Sequence, residues 1–134
     1  MSEILFRGKR EENGEWVYGV PIQRKNGKQL IYAGYSNAGG FIEVAPETVC
    51  QYTGLTDKNG RKIFEGDTVR EVIWGSTGIV KFGEHRKEYG YYIEWTSEYA
   101  EHYRRDLLYW VRETGLEVSG NIFDDPSLLE GGAE

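Results

Sequence analysis

The chain has 134 residues, enough for one compact domain or for a domain with a small subdomain, but too few for two full-size domains. Its 18 glycines, 10 tyrosines and 14% aromatic content favour an all-β protein, because glycine suits turns and aromatic side chains suit half-buried sheet surfaces. The net charge of -6 disfavours non-specific binding to nucleic acid and attachment to an anionic membrane, since both surfaces repel an acidic protein.

The first 48 residues carry short apolar runs separated by turn residues. Strands are predicted near residues 4–6, 16–20, 29–33 and 41–44. Asn26-Gly27 predicts the turn of one hairpin, and the glycine-rich segment 34–40 predicts a surface loop. The sequence therefore predicts an N-terminal β-hairpin subdomain over residues 1–48.

The stretch Val49–Val69 has the strongest hairpin signal in the chain. Asn59-Gly60 lies between two apolar runs, and this pair favours a type I′ turn, in which both central residues have positive φ. Glu65-Gly66-Asp67 then predicts a sharp change of direction, because glycine adopts left-handed backbone and an aspartate side chain can bond to nearby amides. We expect Asp67 to brace this turn.

A second hairpin is predicted at residues 68–82, and the alternation from Tyr89 to Trp95 predicts a further strand. The polar run 83–88 between them is predicted to be a solvated loop. In residues 97–111 helical spacing and strand alternation overlap, so the sequence leaves helix and strand open; we favour a helical turn over 97–104 and a strand from about 106.

Asp124-Asp125-Pro126 has the composition of a helix start, and Gly131 that of a helix end. A short C-terminal helix is therefore predicted, followed by a frayed tail at 132–134.

Several blocks of the sequence resemble the YopX family of small bacteriophage and prophage proteins. The blocks are Phe6–Lys9 with Gly14–Gly19, Glu65–Val69, Glu117–Asp124 and Pro126–Glu130. The resemblance implies an all-β, mainly antiparallel chain, with an SH3-like barrel or roll over residues 49–131, or one compact domain overall. It implies no established activity and no catalytic residues.

The titratable residues give no assembled catalytic or metal site. Cys50, His85 and His102 lack the short spacing of zinc ligands, and we read the histidines as exposed loop residues. The paired acids are explained by turns and helix caps, and no phosphate-binding glycine loop is present in the sequence. We predict no catalytic residue, no metal and no cofactor. A single cysteine and an N-terminus without a long apolar run predict a cytoplasmic protein.

Basic residues cluster near aromatic strands, a combination used by proteins that bind single-stranded nucleic acid. Arg86, Lys87, Arg104 and Arg105 are the candidate binding residues. Acidic residues are interspersed among them, which reduces the local field.

Three functional hypotheses follow. The leading one is a non-enzymatic, phage-type accessory protein that binds a macromolecular partner through surface aromatic residues. The second is a nucleic-acid-binding module, and the third is an enzyme whose site is assembled from distant residues. Open strand edges also predict a homo-oligomer.

Overall fold

The computed structural model describes residues 4–33 and 40–126, apart from the side chain of His102. The chain divides into two compact units, Met1–Tyr52 and Thr53–Glu134. Antiparallel strands dominate both units, so the predicted all-β class is confirmed. The division into domains 1–48 and 49–131 stays a prediction. The predicted loop 34–40 and the predicted C-terminal helix lie largely outside the described residues.

The first unit is an antiparallel sheet built from successive hairpins. Its strands are β1 (Phe6–Lys9), β2 (Trp16–Gln23), β3 (Gln29–Tyr32), β4 (Phe41–Val44) and the start of β5 (Cys50–Thr56). They lie in the order β4-β3-β2-β1-β5, and a 3-10 helix at Pro46–Thr48 precedes β5. Val17, Ile31, Ile42 and Val44 form the apolar core of this unit.

The second unit contains the end of β5, then four strands, two helices and a final strand. These are β6 (Lys62–Phe64), β7 (Asp67–Glu71), β8 (Thr77–His85), β9 (Glu88–Trp95), α1 (Glu98–Tyr103), α2 (Leu107–Glu113) and β10 (Leu116–Asn121). Four of the strands form an antiparallel sheet in the order β10-β7-β8-β9. This sheet does not close on itself within residues 40–126, so no closed barrel is formed there, and the SH3-like barrel or roll implied by the family resemblance stays a prediction.

Both helices pack against β9 and complete the core of the second unit. The indole rings of Trp95 and Trp110 meet edge to face at 4.8 Å, with Leu107 and Ala100 buried around them. Apolar side chains from five strands and two helices therefore share one core, which holds the segment between the helices in place.

Residues 97–111 are helical in two separate pieces. The predicted helical turn over 97–104 is confirmed by α1, which begins at Glu98. Ser97 is its N-cap, and the Ser97 side chain accepts from the amide of Ala100. The predicted strand from about 106 is wrong, because α2 occupies residues 107–113. Leu107 and Trp110, three residues apart, are both buried on one helical face, and this burial outweighs the competing alternation.

The hairpin between β5 and β6 forms as predicted, but its turn is not type I′. Gly60 has a φ of 83°, whereas the φ of Asn59 is not positive. The turn is held instead by Asp57, whose carboxylate accepts from the amides of Asn59 (2.9 Å) and Arg61 (2.8 Å). A side-chain acceptor thus replaces the second left-handed residue.

The direction change at Gly66 has the predicted geometry. Gly66 has a φ of 91°, and a Cβ atom there would lie 2.6 Å from the ring of Phe123. The Asp67 carboxylate accepts from the amide of Phe64 at 2.8 Å. Asp67 is therefore a structural residue of the turn.

Candidate functional site

The tip of the β8–β9 hairpin carries two of the predicted binding residues. Arg86 and Lys87 form a two-residue turn with φ of 48° and 70°, which is the left-handed geometry of a type I′ turn. Residues other than glycine and asparagine have a strained backbone in this conformation. The predicted solvated loop over 83–88 is wrong, because the ladder continues to the pair His85 and Glu88. A short turn without Asn-Gly gave no sequence signal for this extension.

The backbone of Arg104 is fixed by two buried indoles. The Nε1 atoms of Trp95 and Trp110 both donate to the carbonyl oxygen of Arg104, at 3.1 and 3.0 Å. Two tryptophans from different elements therefore place the start of the connection between α1 and α2.

Residues 105 and 106 continue this connection alongside β9. The amide of Ile93 donates to the carbonyl of Arg105 at 2.7 Å, and Tyr92 pairs with Asp106 in an isolated antiparallel bridge. The connection thus lies next to the strand that leads from the hairpin tip. This pairing brings two distant parts of the sequence to one place.

Six side chains from these two segments line a cavity of about 210 Å³, which we call the arginine pocket: His85, Arg86, Glu88, Arg104, Arg105 and Asp106. Three of the four predicted binding residues, Arg86, Arg104 and Arg105, lie together here. Lys87 is exposed at the hairpin tip and is not among the lining residues.

Arg104 is oriented by a carboxylate and an aromatic ring. Its Nε and Nη2 donate to the two carboxylate oxygens of Asp106, at 3.0 and 3.1 Å, and its guanidinium lies 4.4 Å from the centre of the Tyr109 ring. The hydrogen bond to Asp106 raises the pKa of Arg104 above its ordinary value. The planar group is therefore held in one orientation while it stays charged.

Arg105 and Arg86 both meet the end of α1. Arg105 lies 4.9 Å from the Tyr92 ring centre, and its Nε is 3.1 Å from the Glu101 carboxylate. That Nε makes no aligned hydrogen bond, so we regard the contact as an ion pair only. Arg86 donates to the carbonyl oxygens of Glu101 and Tyr103, which ties the hairpin tip to the helix.

His85 is the pocket residue that the sequence reading placed wrongly. It is 7% exposed, not an exposed loop residue, and its ring lies 4.5 Å from that of Tyr92. Its Nδ1 is buried and has no hydrogen-bond partner. Buried polar atoms are nearly always partnered, so an orphaned one marks a site that needs explanation.

A second feature of this unit is a group of tyrosines beside the pocket. The rings of Tyr99 and Tyr103, 72% and 50% exposed, are parallel within 5° at 6.3 Å. Tyr103 meets Tyr109 edge to face, and their hydroxyls are 3.1 Å apart. That hydrogen bond raises the pKa of Tyr109. Aromatic and cationic groups therefore share this surface.

A third feature is the turn 72–76 between β7 and β8, which we call the Ile-Trp turn. Ile73 and Trp74 at its tip are 58% and 71% exposed. The carboxylate of the fully buried Glu71 accepts from the amides of Ile73 and Trp74, at 2.8 and 2.7 Å. The amide of Gly75 donates to the Glu71 carbonyl at 2.9 Å. Glu71 thus fixes a turn that presents two large apolar side chains to solvent.

Metal-ligating residues are not grouped in the part of the chain that the structure describes. No three His, Cys, Asp or Glu there are arranged to hold a metal ion. Cys50 is buried and its sulfur accepts from Nε of Arg7 at 3.2 Å, while the side chain of His102 lies outside the description. None of the helices in residues 40–126 is long and apolar enough to cross a membrane.

The family model of the YopX protein matches residues 5–130, nearly the whole chain. The chain belongs to the YopX family. A crystal structure of protein EF1440 from Enterococcus faecalis is similar to this YopX-family chain, with a TM-score of 0.53 and 22% identity. The alignment covers 96% of this chain and 99% of that one, and at this identity it shows the fold alone. No curated protein matches the sequence.

Proposed function

We propose that the protein is a non-enzymatic accessory protein of phage type that binds another protein through the Ile-Trp turn. The observation that carries this proposal is the exposure of Ile73 and Trp74 on a turn whose amides are held by a buried carboxylate. Tryptophan is enriched among residues that dominate binding energy at protein interfaces. A turn fixed before binding loses little entropy when it binds.

The proposed partner presents an apolar pocket that receives the Trp74 side chain. Glu71 supports this role because it has no access to solvent and spends both carboxylate oxygens on the turn. Burying a carboxylate costs free energy unless it is fully hydrogen-bonded. An ordinary solvated turn would form without this cost. We infer that presentation of the two side chains is its purpose.

A photo-crosslinking experiment in a bacterial host tests this proposal. The crosslinking amino acid p-benzoylphenylalanine replaces Trp74 in one variant and Leu108, 43% exposed on α2, in the control. We expect a discrete crosslinked protein from position 74 that is weak or missing from position 108. With that partner purified, Trp74→Ala should weaken binding by about thirtyfold and Leu108→Ala by less than about twofold. Equal crosslinking at both positions would contradict the proposal.

Single-stranded nucleic acid is a second candidate partner, favoured by the parallel rings of Tyr99 and Tyr103 beside Arg104. In such complexes the bases stack on aromatic rings, and basic side chains contact the phosphates. Fluorescence anisotropy with a labelled oligothymidylate should then show binding that weakens as salt rises and is reduced in Tyr99→Ala. Undetectable binding at low salt would remove this candidate.

Self-association is a third use of exposed surface, since β4 ends the sheet of the first unit as an edge strand in the described chain. We propose a homo-oligomer on this ground. Light scattering coupled to size-exclusion chromatography should give a mass above the 15.4 kDa of one chain. A monomeric mass at high micromolar concentration would rule it out.

A further inference from the structure

We propose that the arginine pocket binds a phosphate group, as inorganic phosphate or a small phosphomonoester, in preference to sulfate. This site is separate from the Ile-Trp turn and does not depend on the protein partner. The inference stands on the convergence of three guanidinium groups, two carboxylates and one buried imidazole around a single cavity.

The three arginines supply more donors than their present contacts use. A guanidinium has five N–H donors. Arg104 donates one N–H from Nε and one from Nη2 to Asp106, and Arg86 donates one N–H from each Nη to backbone carbonyls. These contacts orient the groups, while their remaining N–H bonds are available to an oxyanion. A planar fork held in this way suits the tetrahedral oxygens of phosphate.

The two carboxylates of the pocket explain the preference for phosphate. The lining holds three arginines with Glu88 and Asp106, and Glu101 beside it pairs with Arg105, so positive and negative charges alternate around the cavity. Near neutral pH every inorganic phosphate ion carries at least one proton, and a phosphomonoester, whose second pKa is about 6, carries one in part of its population. That hydroxyl can donate to a carboxylate. Sulfate carries no such proton, so an oxygen facing Glu88 or Asp106 is repelled. The mixed lining therefore selects an anion that is also a donor.

His85 supplies the observation that a purely structural pocket does not explain. Its Nδ1 has no hydrogen-bond partner within the described chain, although the ring lies in the wall of a polar cavity. A half-turn of an imidazole exchanges Nδ1 with a carbon at almost constant shape. The occupant of the cavity therefore decides which edge of the ring faces it, and a phosphate oxygen gives a ring N–H the acceptor that it lacks.

A pair of glycines lies beside His85 in the β8–β9 hairpin. Gly83 and Gly90 pair across the hairpin between His85–Glu88 and Lys81–Tyr92, and a Cβ atom at either glycine would meet nothing within 4 Å. Residues two apart in a strand share a face, so this pair contributes no side chain between His85 and Tyr92. The imidazole can therefore lie against the Tyr92 ring. With a volume of about 210 Å³, the cavity fits one small anionic group and is below the range of pockets for drug-sized ligands.

Titration of the full chain with sodium phosphate tests the proposal, followed by ¹H–¹⁵N correlation spectra and by long-range spectra of the His85 ring nitrogens. The informative variant is His85→Phe, which keeps a flat ring against Tyr92 and removes both nitrogens. Arg104→Ala removes one guanidinium, and Arg70→Ala is its matched control, because Arg70 also pairs with a carboxylate (Glu117, 3.0 Å) but lies outside the pocket.

We expect saturable shifts at His85 and at residues 104–106 in the unmodified protein. His85→Phe and Arg104→Ala should each weaken phosphate binding by about tenfold, and Arg70→Ala should change it by less than about twofold. Each variant's melting temperature is recorded, and His85→Phe should melt no lower than the unmodified protein. Weakened binding in a fully folded variant then separates a ligand role from a structural one.

Parallel titrations with methyl phosphate and sulfate identify the source of the group. Binding of methyl phosphate as tight as that of inorganic phosphate supports a phosphomonoester ligand, and tighter binding of inorganic phosphate supports the free ion. No saturable shift, equal binding of sulfate and phosphate, or unchanged phosphate affinity in folded His85→Phe would overturn the proposal.

Discussion

The Asp57 carboxylate accepts a 2.9 Å hydrogen bond from the amide of Val118, a residue 61 positions later in the chain. The same carboxylate accepts from the amides of Asn59 and Arg61 within its own turn. One side chain therefore joins the β5–β6 turn to β10, the last strand of the sheet.

Replacement of Asp57 with Asn should lower the free energy of unfolding by about 1–3 kcal/mol, because an amide cannot accept on both sides as a carboxylate does. Chemical denaturation at neutral pH measures this loss. Glu11→Gln, an exposed acid in the first unit, serves as the control and should leave stability unchanged. An equally stable Asp57→Asn protein would show that the bonds to Asn59, Arg61 and Val118 contribute nothing.

The same residue predicts a dependence of stability on pH. Burial opposes ionisation of Asp57, but the amides of Val118, Arg61 and Asn59 and the charge of Arg61 outweigh it, so the pKa is lowered. A lowered folded pKa gives stability that is complete above the unfolded value of about 3.9 and is lost as pH falls through the folded pKa. Asp57→Asn should flatten this acid limb in a series of melts between neutral pH and pH about 2. An unchanged slope would contradict the assignment.

Two glycines with nearly the same backbone separate strain from steric clash. Gly66 and Gly54 have φ of 91° and 88°, but a Cβ at Gly66 meets the Phe123 ring at 2.6 Å and one at Gly54 meets nothing within 4 Å. Alanine at either position should cost about 1–2 kcal/mol of strain, and Gly66→Ala should cost more because Phe123 must move. Gly66→Val should cost at least as much as Gly66→Ala. Equal melting temperatures for the two alanine variants would show that Phe123 moves freely.

Glu71 holds the Ile-Trp turn, so Glu71→Ala should lower stability by about 1–3 kcal/mol, since two amides lose their acceptor. Hydrogen exchange should speed up at the amides of Ile73 and Trp74 in particular. Glu94→Ala removes an acid that pairs with Lys81 at the surface, and it should leave those two amides protected. Unchanged exchange in Glu71→Ala would contradict the role given to its carboxylate.

His85→Phe should leave stability unchanged or raise it by up to about 1 kcal/mol, because it removes a buried nitrogen that has no partner. His85→Ala should lose about 2–4 kcal/mol by leaving a cavity beside Tyr92. Thermal melts of both variants check this pair of outcomes. A large loss in His85→Phe would mean that the nitrogen is satisfied in solution.

Local signals in the sequence were enough to predict much of the fold. Asn26-Gly27 and Asn59-Gly60 mark real hairpins, and Glu65-Gly66-Asp67 marks a real change of direction, because each turn is determined by the residues within it. The helix α2 was beyond such reasoning. Its residues fit both periodicities, and the choice depends on the contact between Trp110 and Trp95.

The candidate site was predictable in its residues and unpredictable in its shape. Arg86, Arg104 and Arg105 stand out by charge, but their meeting depends on the pairing of residues 105 and 106 with β9. His85 was hidden because a turn of Arg86 and Lys87 carries no turn signal and shifts the end of the strand. Long-range pairing and an atypical turn are both set by the rest of the fold.

The left-handed turn at Arg86 and Lys87 is also a position where a substitution can stabilise the hairpin. Lys87 is exposed and lies outside the arginine pocket, whereas Arg86 holds the end of α1. Glycine at position 87 would relax the backbone strain there while every contact of Arg86 is kept. The hairpin tip can thus be made more robust without any change to the pocket beneath it, which gives ligand studies a sturdier protein of unaltered specificity.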